Sequence, residues 1–316
     1  MGLTVLTGAS GFLGRNLLSS NWARCSRVRA LTRMPRSFGE NDCGVEWVVG
    51  DLTDHTVWNR LIEPGCTLIN LAYPKEMDLA AAIAATRAMV AACSETKIAR
   101  LVHCSSISVF GRTASDVNTE LTPCTPIDNY GRQKLAIESA LYDSVDGRFE
   151  LAVLRPSVIF GSGGQALRSL CDSLVGGTRV VNYCRSSLFG RRNMHLVPVE
   201  TVVGALRFLC ETRRVLDGDI FVVSEDDDPL NNFQDVERIL MEGLRLPNYS
   251  IPRIPIPEKV LKGLLRLRGR SDISPTCKYR CEKLARWEFV RPISFEVALR
   301  QFAASLYRSS ESGASS

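Results

Sequence analysis

The stretch Leu3–Arg15, LTVLTGASGFLGR, decides how the rest of the chain is read. Leu3–Thr7 is a short apolar run of the length of a buried strand. Gly8, Gly11 and Gly14 follow, and Phe12, Leu13, Leu17 and Leu18 then fall at helical spacing. A strand that turns through glycines into a helix start suits a phosphate. Glycine lets the backbone approach a pyrophosphate, and the free N–H groups at the positive end of the helix dipole hold it. The spacing is G-x-x-G-x-x-G, a variant of the commoner dinucleotide-binding turn. The plain alternative is a tight strand-to-helix turn that binds nothing. The position of the turn, directly after the first strand of the chain, favours the phosphate.

Working outward, 316 residues suffice for one large α/β domain, or one domain carrying a smaller lobe. A hydrophobic content of 45% with 23% charged residues is that of an ordinary globule, and a net charge of +5 is mild. The most basic stretch, Lys259–Arg270, interleaves cations with leucines and is expected to be an amphipathic helix on its own domain. Binding to nucleic acid or to a membrane surface is the less favoured reading. Eleven cysteines without a CxxC pair, and three scattered histidines, give no metal-ligand pattern. Cys66, Cys93, Cys104 and Cys210 sit in apolar runs and are expected to be buried thiols in a reducing compartment. A first strand at residue 3 leaves no room for a signal peptide, and no apolar run reaches membrane-spanning length, so a cytoplasmic location is expected.

Val28–Thr32 is expected to be the second strand, ending at Arg33 with Arg36 close behind. An acidic residue at that place suits the adenosine ribose of NAD, whereas arginine suits the 2′-phosphate of NADP; the expected cofactor is NADP, with NAD as the alternative. Val45–Val49 is the third strand. Asp51 after it can accept from an adenine amino group or cap the next helix. Thr67–Leu71, Leu101–Cys104, Leu151–Leu154, Val158–Phe160 and Asp219–Val223 complete the expected strands, and Leu79–Cys93 and Asp235–Leu244 are expected helices. Tyr130 and Lys134 lie four apart in YGRQKLAIE, which has helical composition, so both side chains share a face. An ammonium beside a phenol is expected to lower the tyrosine pKa and fit it for proton transfer.

TGASGFLG at 7–14, GD at 50–51, NLA at 70–72, SSISVFG at 105–111, YGRQK at 130–134 and RPSVIFG at 155–161 occur in this order. Together they resemble the extended short-chain dehydrogenase/reductase family, in its nucleotide-sugar epimerase, dehydratase and ketoreductase group. The resemblance covers almost the whole chain. It implies a Rossmann-type doubly wound parallel α/β sheet with a smaller C-terminal α/β substrate lobe. Ser106, Tyr130 and Lys134 map onto its catalytic serine, tyrosine and lysine, with Ser106 preferred over Ser105 because it stands five residues before Gly111. Gly8, Gly11, Phe12, Leu13, Gly14, Arg33, Asp51, Leu52, Leu71, Ala72, Tyr130, Lys134 and Pro156 are the implied cofactor contacts. Ser106, Ser108, Arg191 and Arg192 are the implied substrate contacts.

Departures from the family narrow the chemistry. The Asp-Glu pair of the dehydratases is Ile107-Ser108 here, so elimination of water lacks its acid and base. The asparagine of the helix after the fourth strand is absent, with Ala82, Ala85 and Thr86 at those places. The arginine that precedes the V-x-V-x-D-V stretch is Met194, leaving Arg191 and Arg192 as the nearest cations. The expected function is an NAD(P)-dependent oxidoreductase on a nucleotide-linked sugar, foremost a 4-keto-sugar reductase. A 4-epimerase is the alternative, a steroid-type alcohol is a further option, and a non-catalytic dinucleotide-binding regulator is the least favoured. Residues 1–160 are expected to bind the cofactor, 161–307 to form the substrate lobe with returns to the core, and 308–316 to be disordered. Homodimerisation through Leu79–Cys93 and Asn129–Leu141 is a further implication of the resemblance.

Overall fold

A computed structural model describes residues 2–20, 27–34, 44–73, 76–113, 115–145, 147–252 and 277–313. Arg36, the basic stretch 259–270 and residues 253–257 of the stretch Pro247–Pro257, whose four prolines predict an extended connector, lie outside them. The chain divides into two compact units. One comprises Met1–Gly111, Pro123–Pro156 and Val203–Val222, the other Arg112–Thr122, Ser157–Val202 and Val223–Ser316.

The first unit is built on β1 (Thr4–Thr7), β2 (Val28–Thr32), β3 (Val45–Val49), β4 (Thr67–Asn70), β5 (Arg100–Cys104) and β7 (Glu150–Pro156). With β10 (Asp217–Val223) they form a seven-stranded sheet in the order β10-β7-β5-β4-β1-β2-β3. β1 pairs in parallel with β2 on one side and β4 on the other, Val5 facing Arg29 and Leu68. The chain therefore reverses its winding direction at β1. Ligands of such sheets bind outside the carboxyl ends of the strands at that switch point. Strands covered on both faces need apolar side chains on both, so β1 and β5 are buried throughout rather than alternating. Val5, Leu68, Leu101 and Val153 pack with Trp58 and Leu61 of α2 (His55–Leu61), Met89 and Val90 of α3 (Leu79–Thr96), and Ile137 and Leu141 of α4 (Asn129–Ser144).

The α3 helix starts where the Asp78 carboxylate accepts from the Ala81 N–H at 2.7 Å and stops at Lys97, left-handed at φ 59°. The α4 helix starts in the same way, with Asp128 accepting from Gly131 N–H at 2.7 Å, and the two helices pack on each other.

Three expectations change. β8 (Val158–Phe160) does not complete the central sheet; it pairs in parallel with β9 (Leu196–Pro198) in a separate two-stranded sheet. Pro156 ends β7 because it has no N–H for the ladder, and the Ser157 N–H that follows donates to Val223 at 2.9 Å. Residues 308–313, expected to be disordered, continue the helix Phe295–Gly313. Cys210 is half-buried, whereas Cys66, Cys93 and Cys104 are buried as expected.

The second unit has its own core. Phe160 meets Phe295 and Phe302 edge-on at 5.7 and 6.1 Å, over Val236, Ile239 and Leu240 of the helix Phe233–Gly243. Those three positions repeat at helical spacing, while Arg238 and Glu242 pair on the outer face at 2.8 Å. β6 (Val117–Asn118) and β11 (Lys278–Tyr279) form a second parallel pair.

Candidate active site

The glycine turn joins β1 to α1 (Phe12–Leu18), and each glycine answers a different constraint. Gly8 has φ +69°, and a Cβ there would stand 2.7 Å from the Ala72 nitrogen. Gly14 lies on the Gly8 carbonyl and Ala9, so a side chain would push the helix off the turn. At Gly11 a Cβ would meet only the Gly8 oxygen, at 3.2 Å, and Gly11 lines a groove. That groove, of about 470 Å³, is walled by Gly8, Ser10, Gly11, Thr32, Arg33, Asp51, Leu52, Leu71, Ala72, Tyr73, Glu76 and Met77. It follows the carboxyl ends of β1, β2, β3 and β4. A glycine bare toward an elongated groove is the surface a dinucleotide's phosphates need, so these residues fit an NAD(P) cofactor.

Seven expected cofactor contacts, Gly8, Gly11, Arg33, Asp51, Leu52, Leu71 and Ala72, line this groove. Phe12, Leu13, Gly14, Tyr130, Lys134 and Pro156 are not among its walls. The two readings of Asp51 separate here. Asp54 caps α2, accepting from Thr56 N–H at 2.8 Å, while Asp51 accepts from the Thr53 N–H and hydroxyl at 2.9 and 2.7 Å. Those hydrogen bonds hold its carboxyl below the usual range, so the wall carries an anion beside the Arg33 cation.

Ser106, Tyr130 and Lys134 come together. Ser106 ends the loop after β5 and accepts from the Ser108 N–H at 3.1 Å, capping the short 3₁₀ turn Ile107–Val109; its hydroxyl donates to Ser108 Oγ at 3.2 Å. Ser105 is buried, its N–H donating to the Leu154 carbonyl at 2.7 Å. The Tyr130 ring meets Tyr73 edge-on at 4.9 Å, and the Lys134 ammonium lies 5.3 Å from the Tyr73 ring centre and 6.0 Å from that of Tyr130. Its firm bond is to the Cys104 carbonyl, at 2.8 Å. The tyrosine pKa departs from expectation: burial pushes the phenol up to about 12, and the hydrogen bond from Ser106 offsets only part of that. Lys134, almost wholly buried, is itself lowered by desolvation. A phenol in this state is a proton donor at neutral pH.

The sequence from residue 4 to 222 matches the model of the NAD dependent epimerase/dehydratase family. The chain belongs to that family. Sterol demethylase protein B of Methylococcus capsulatus is 25% identical over 279 residues, 84% of this chain and 80% of that protein. The dTDP-4-dehydrorhamnose reductase of Mycolicibacterium smegmatis is 32% identical over 146 residues, 43% of this chain and 40% of that protein. The chain thus spans from two fifths to four fifths of these curated relatives. The Bordetella bronchiseptica enzyme WbmH, solved in complex with NAD+, superposes with a TM-score of 0.71 at 17% identity over 97% of this chain and 98% of that one. The protein is an NAD(P)-dependent enzyme with the Rossmann-like fold of the extended short-chain dehydrogenases/reductases. Among the described residues, no helix is long and apolar enough to cross a membrane.

Arg191 and Arg192, the expected substrate contacts, lie in the second unit. Arg191 is exposed, 3.8 Å from Asp235, and the Arg192 guanidinium lies over the Phe189 ring at 5.8 Å. Sequence reasoning missed three features. Tyr73 follows the NLA motif directly, and its position was the available signal. Gly131, next to Tyr130, has no room for a side chain, because a Cβ would run into the Ser108 carbonyl. The third is a buried chain behind the site: Thr7 Oγ1 donates to Asn70 Oδ1 at 2.6 Å, and Asn70 Nδ2 meets His103 Nδ1 at 3.1 Å. Complete burial, with the Lys134 charge nearby, pushes the His103 pKa well down and keeps its imidazole neutral.

Proposed function

We propose that the protein reduces a ketone to a secondary alcohol, with Tyr130 as proton donor and a nucleotide-linked 4-keto sugar as substrate. One observation carries the reading: Tyr73 is both a wall of the dinucleotide groove and the edge-on neighbour of Tyr130, so the phenol stands at the end of that groove. A nicotinamide dinucleotide bound there supplies the hydride. The Ser106 hydroxyl donates a hydrogen bond to the carbonyl oxygen, and the phenol gives that oxygen its proton as negative charge develops on it. Lys134, anchored on the Cys104 carbonyl, keeps a cationic group below both rings. Arg33 on the groove wall favours NADPH over NADH, through the 2′-phosphate.

The reductase likeness supports the sugar substrate, over a limited stretch of the chain. A second reading, an apolar ketone of sterol type, is favoured by the likeness that spans four fifths of both chains. It is also favoured by the engagement of Arg191 and Arg192 with Asp235 and Phe189. The deciding experiment follows NADPH oxidation with dTDP- and UDP-linked 4-keto sugars and with 3-ketosteroids, and identifies any copurifying dinucleotide by mass. Turnover of a keto sugar supports the first reading. Turnover restricted to ketosteroids supports the second. Retained NAD with interconversion of sugars and no net NADPH use would replace both with an epimerase.

A further inference from the structure

The second unit carries a group of side chains that the reductase reading does not use. His195, Asp226 and Cys277 are far apart in sequence and meet in space. The His195 Nδ1–H donates to Asp226 Oδ2 at 2.6 Å, and His195 Nε2 faces Cys277 Sγ at 3.6 Å. Asp226 is fully buried, and its Oδ2 also accepts the Tyr279 N–H at 2.8 Å, so the carboxylate is fixed from two sides. The Tyr279 ring closes the histidine edge-on at 5.0 Å. Asn193 Nδ2 donates to the Cys277 carbonyl at 2.9 Å and holds the cysteine backbone. His195 itself has φ +53°, in the left-handed region that non-glycine residues seldom adopt. The Val158 N–H, donating to the His195 carbonyl at 2.8 Å, holds it there.

We propose that Cys277 is a nucleophilic thiol, oriented and served by His195 and Asp226, and that small hydroperoxides oxidise it to the sulfenic acid. The order sulfur, imidazole, carboxylate is that of an activated cysteine: the carboxylate fixes the ring, and the ring holds its proton toward the sulfur and gives it to the leaving group. Burial alone would lower the imidazole pKa, but the hydrogen bonds to Asp226 and Cys277 outweigh it and raise it to about 9.

The step balances with a hydroperoxide as the oxidant. His195, its pKa raised to about 9, already holds a proton on Nε2 facing Sγ; the thiol proton goes to solvent, and Sγ attacks one peroxide oxygen. The S–O bond forms as the O–O bond breaks. Sulfur gives up two electrons, and the departing oxygen takes the proton from His195 and leaves as water, or as an alcohol from an alkyl hydroperoxide. Cys277 keeps only 8% of its surface exposed, whereas the His195 side chain keeps 23%. A reagent the size of hydrogen peroxide therefore fits the approach better than a bulky disulfide.

The test needs no knowledge of the enzyme's substrate. The full-length protein is treated with hydrogen peroxide, quenched, denatured and alkylated with N-ethylmaleimide, and the loss of free thiol is read peptide by peptide by mass spectrometry. Cys184, which is exposed, serves as the internal reference. Cys277 is expected to be lost about tenfold faster than Cys184 in the native protein, and at a similar rate once urea has unfolded the chain. His195→Gln and Asp226→Asn are each expected to bring the native Cys277 rate down to that of Cys184 or below. Equal or slower loss of Cys277 than of Cys184 in the native wild-type protein overturns the proposal, whatever the folding of the variants. So does unchanged Cys277 loss in a His195→Gln variant whose thermal unfolding matches wild type.

Discussion

The Tyr130 ring stands edge-on to the Tyr73 ring at 4.9 Å, and Tyr73 is itself a wall of the dinucleotide groove. The phenol proposed as proton donor is thereby located by a ring on the wall of the groove proposed for the cofactor. Tyr130→Phe keeps that ring contact and removes only the hydroxyl. Turnover is expected to fall by about 10²–10⁴, the usual worth of a positioned proton donor. Dinucleotide affinity, measured by fluorescence titration, is expected to stay at the wild-type value. Turnover unchanged in this variant would remove Tyr130 from the chemistry.

Gly131 tests how the serine loop is held against the tyrosine helix. Replacing a glycine inside a helix by alanine ordinarily stabilises by about 0.5–1 kcal/mol. Here the new Cβ runs into the Ser108 carbonyl and stands 3.0 Å from the Pro126 Cβ, so the sign reverses. Gly131→Ala is expected to destabilise by about 1–3 kcal/mol in urea unfolding, the cost of overpacking. Because Ser106 sits on the displaced turn, turnover is expected to drop by about 10²-fold, the penalty of a 1 Å misplacement. A more stable, fully active variant would show that the loop moves freely.

Arg33 tests the cofactor preference. Charge-assisted hydrogen bonds are worth about 1.5–3 kcal/mol, or roughly tenfold to a hundredfold in affinity. Arg33→Ala is expected to weaken NADPH by that factor and leave NADH unchanged in parallel titrations. Equal losses for both would mean that Arg33 does not read the 2′-phosphate.

Much of this site was legible locally because its signals are local. Val28–Thr32 and Val45–Val49 form strands over the expected residues, and the glycine turn needs only seven residues to declare itself. What stayed hidden depends on distance along the chain. Thr7 and Asn70 are 63 residues apart, and Cys277 and His195 are 82 apart, so no periodicity links them. The tyrosine pKa was misjudged for a related reason. The i, i+4 spacing puts Lys134 on the right face, but the ammonium turns to the Cys104 carbonyl, and burial then dominates the phenol. β8 was placed in the wrong sheet because its apolar run is the same whichever neighbour receives it.

The buried pair Glu138–Arg155 gives a stability test inside the first unit. Arg155 Nε and Nη2 donate to the two carboxylate oxygens at 3.1 and 2.6 Å, and the guanidinium lies over the Phe110 ring at 4.9 Å. Both side chains are almost fully buried. Glu138→Gln leaves the arginine charge uncompensated and is expected to cost about 3–5 kcal/mol. Replacing both together, Glu138→Leu with Arg155→Met, removes the stranded charge and is expected to recover most of that loss. Urea midpoints of the three variants decide it. A double variant as unstable as Glu138→Gln alone would show that packing, not charge, holds this place.

His195 predicts how stability follows pH. Its folded pKa, raised to about 9 from an ordinary 6.5 by Asp226 and Cys277 against the opposing effect of burial, means that the folded state holds the imidazole proton more tightly than the unfolded chain. The histidine's contribution is therefore fully present below 6.5 and is lost as pH rises through about 9. Its size is on the order of 3 kcal/mol. In urea unfolding followed across that window, the gap between wild type and His195→Gln is expected to be widest at the acid end and to close toward the alkaline end. Asp226, Cys277 and Tyr279 face the same ring, so the difference between the two proteins, rather than either curve alone, isolates the histidine. A gap that stays constant across the window would mean that His195 acts there by packing and carries no extra proton when folded.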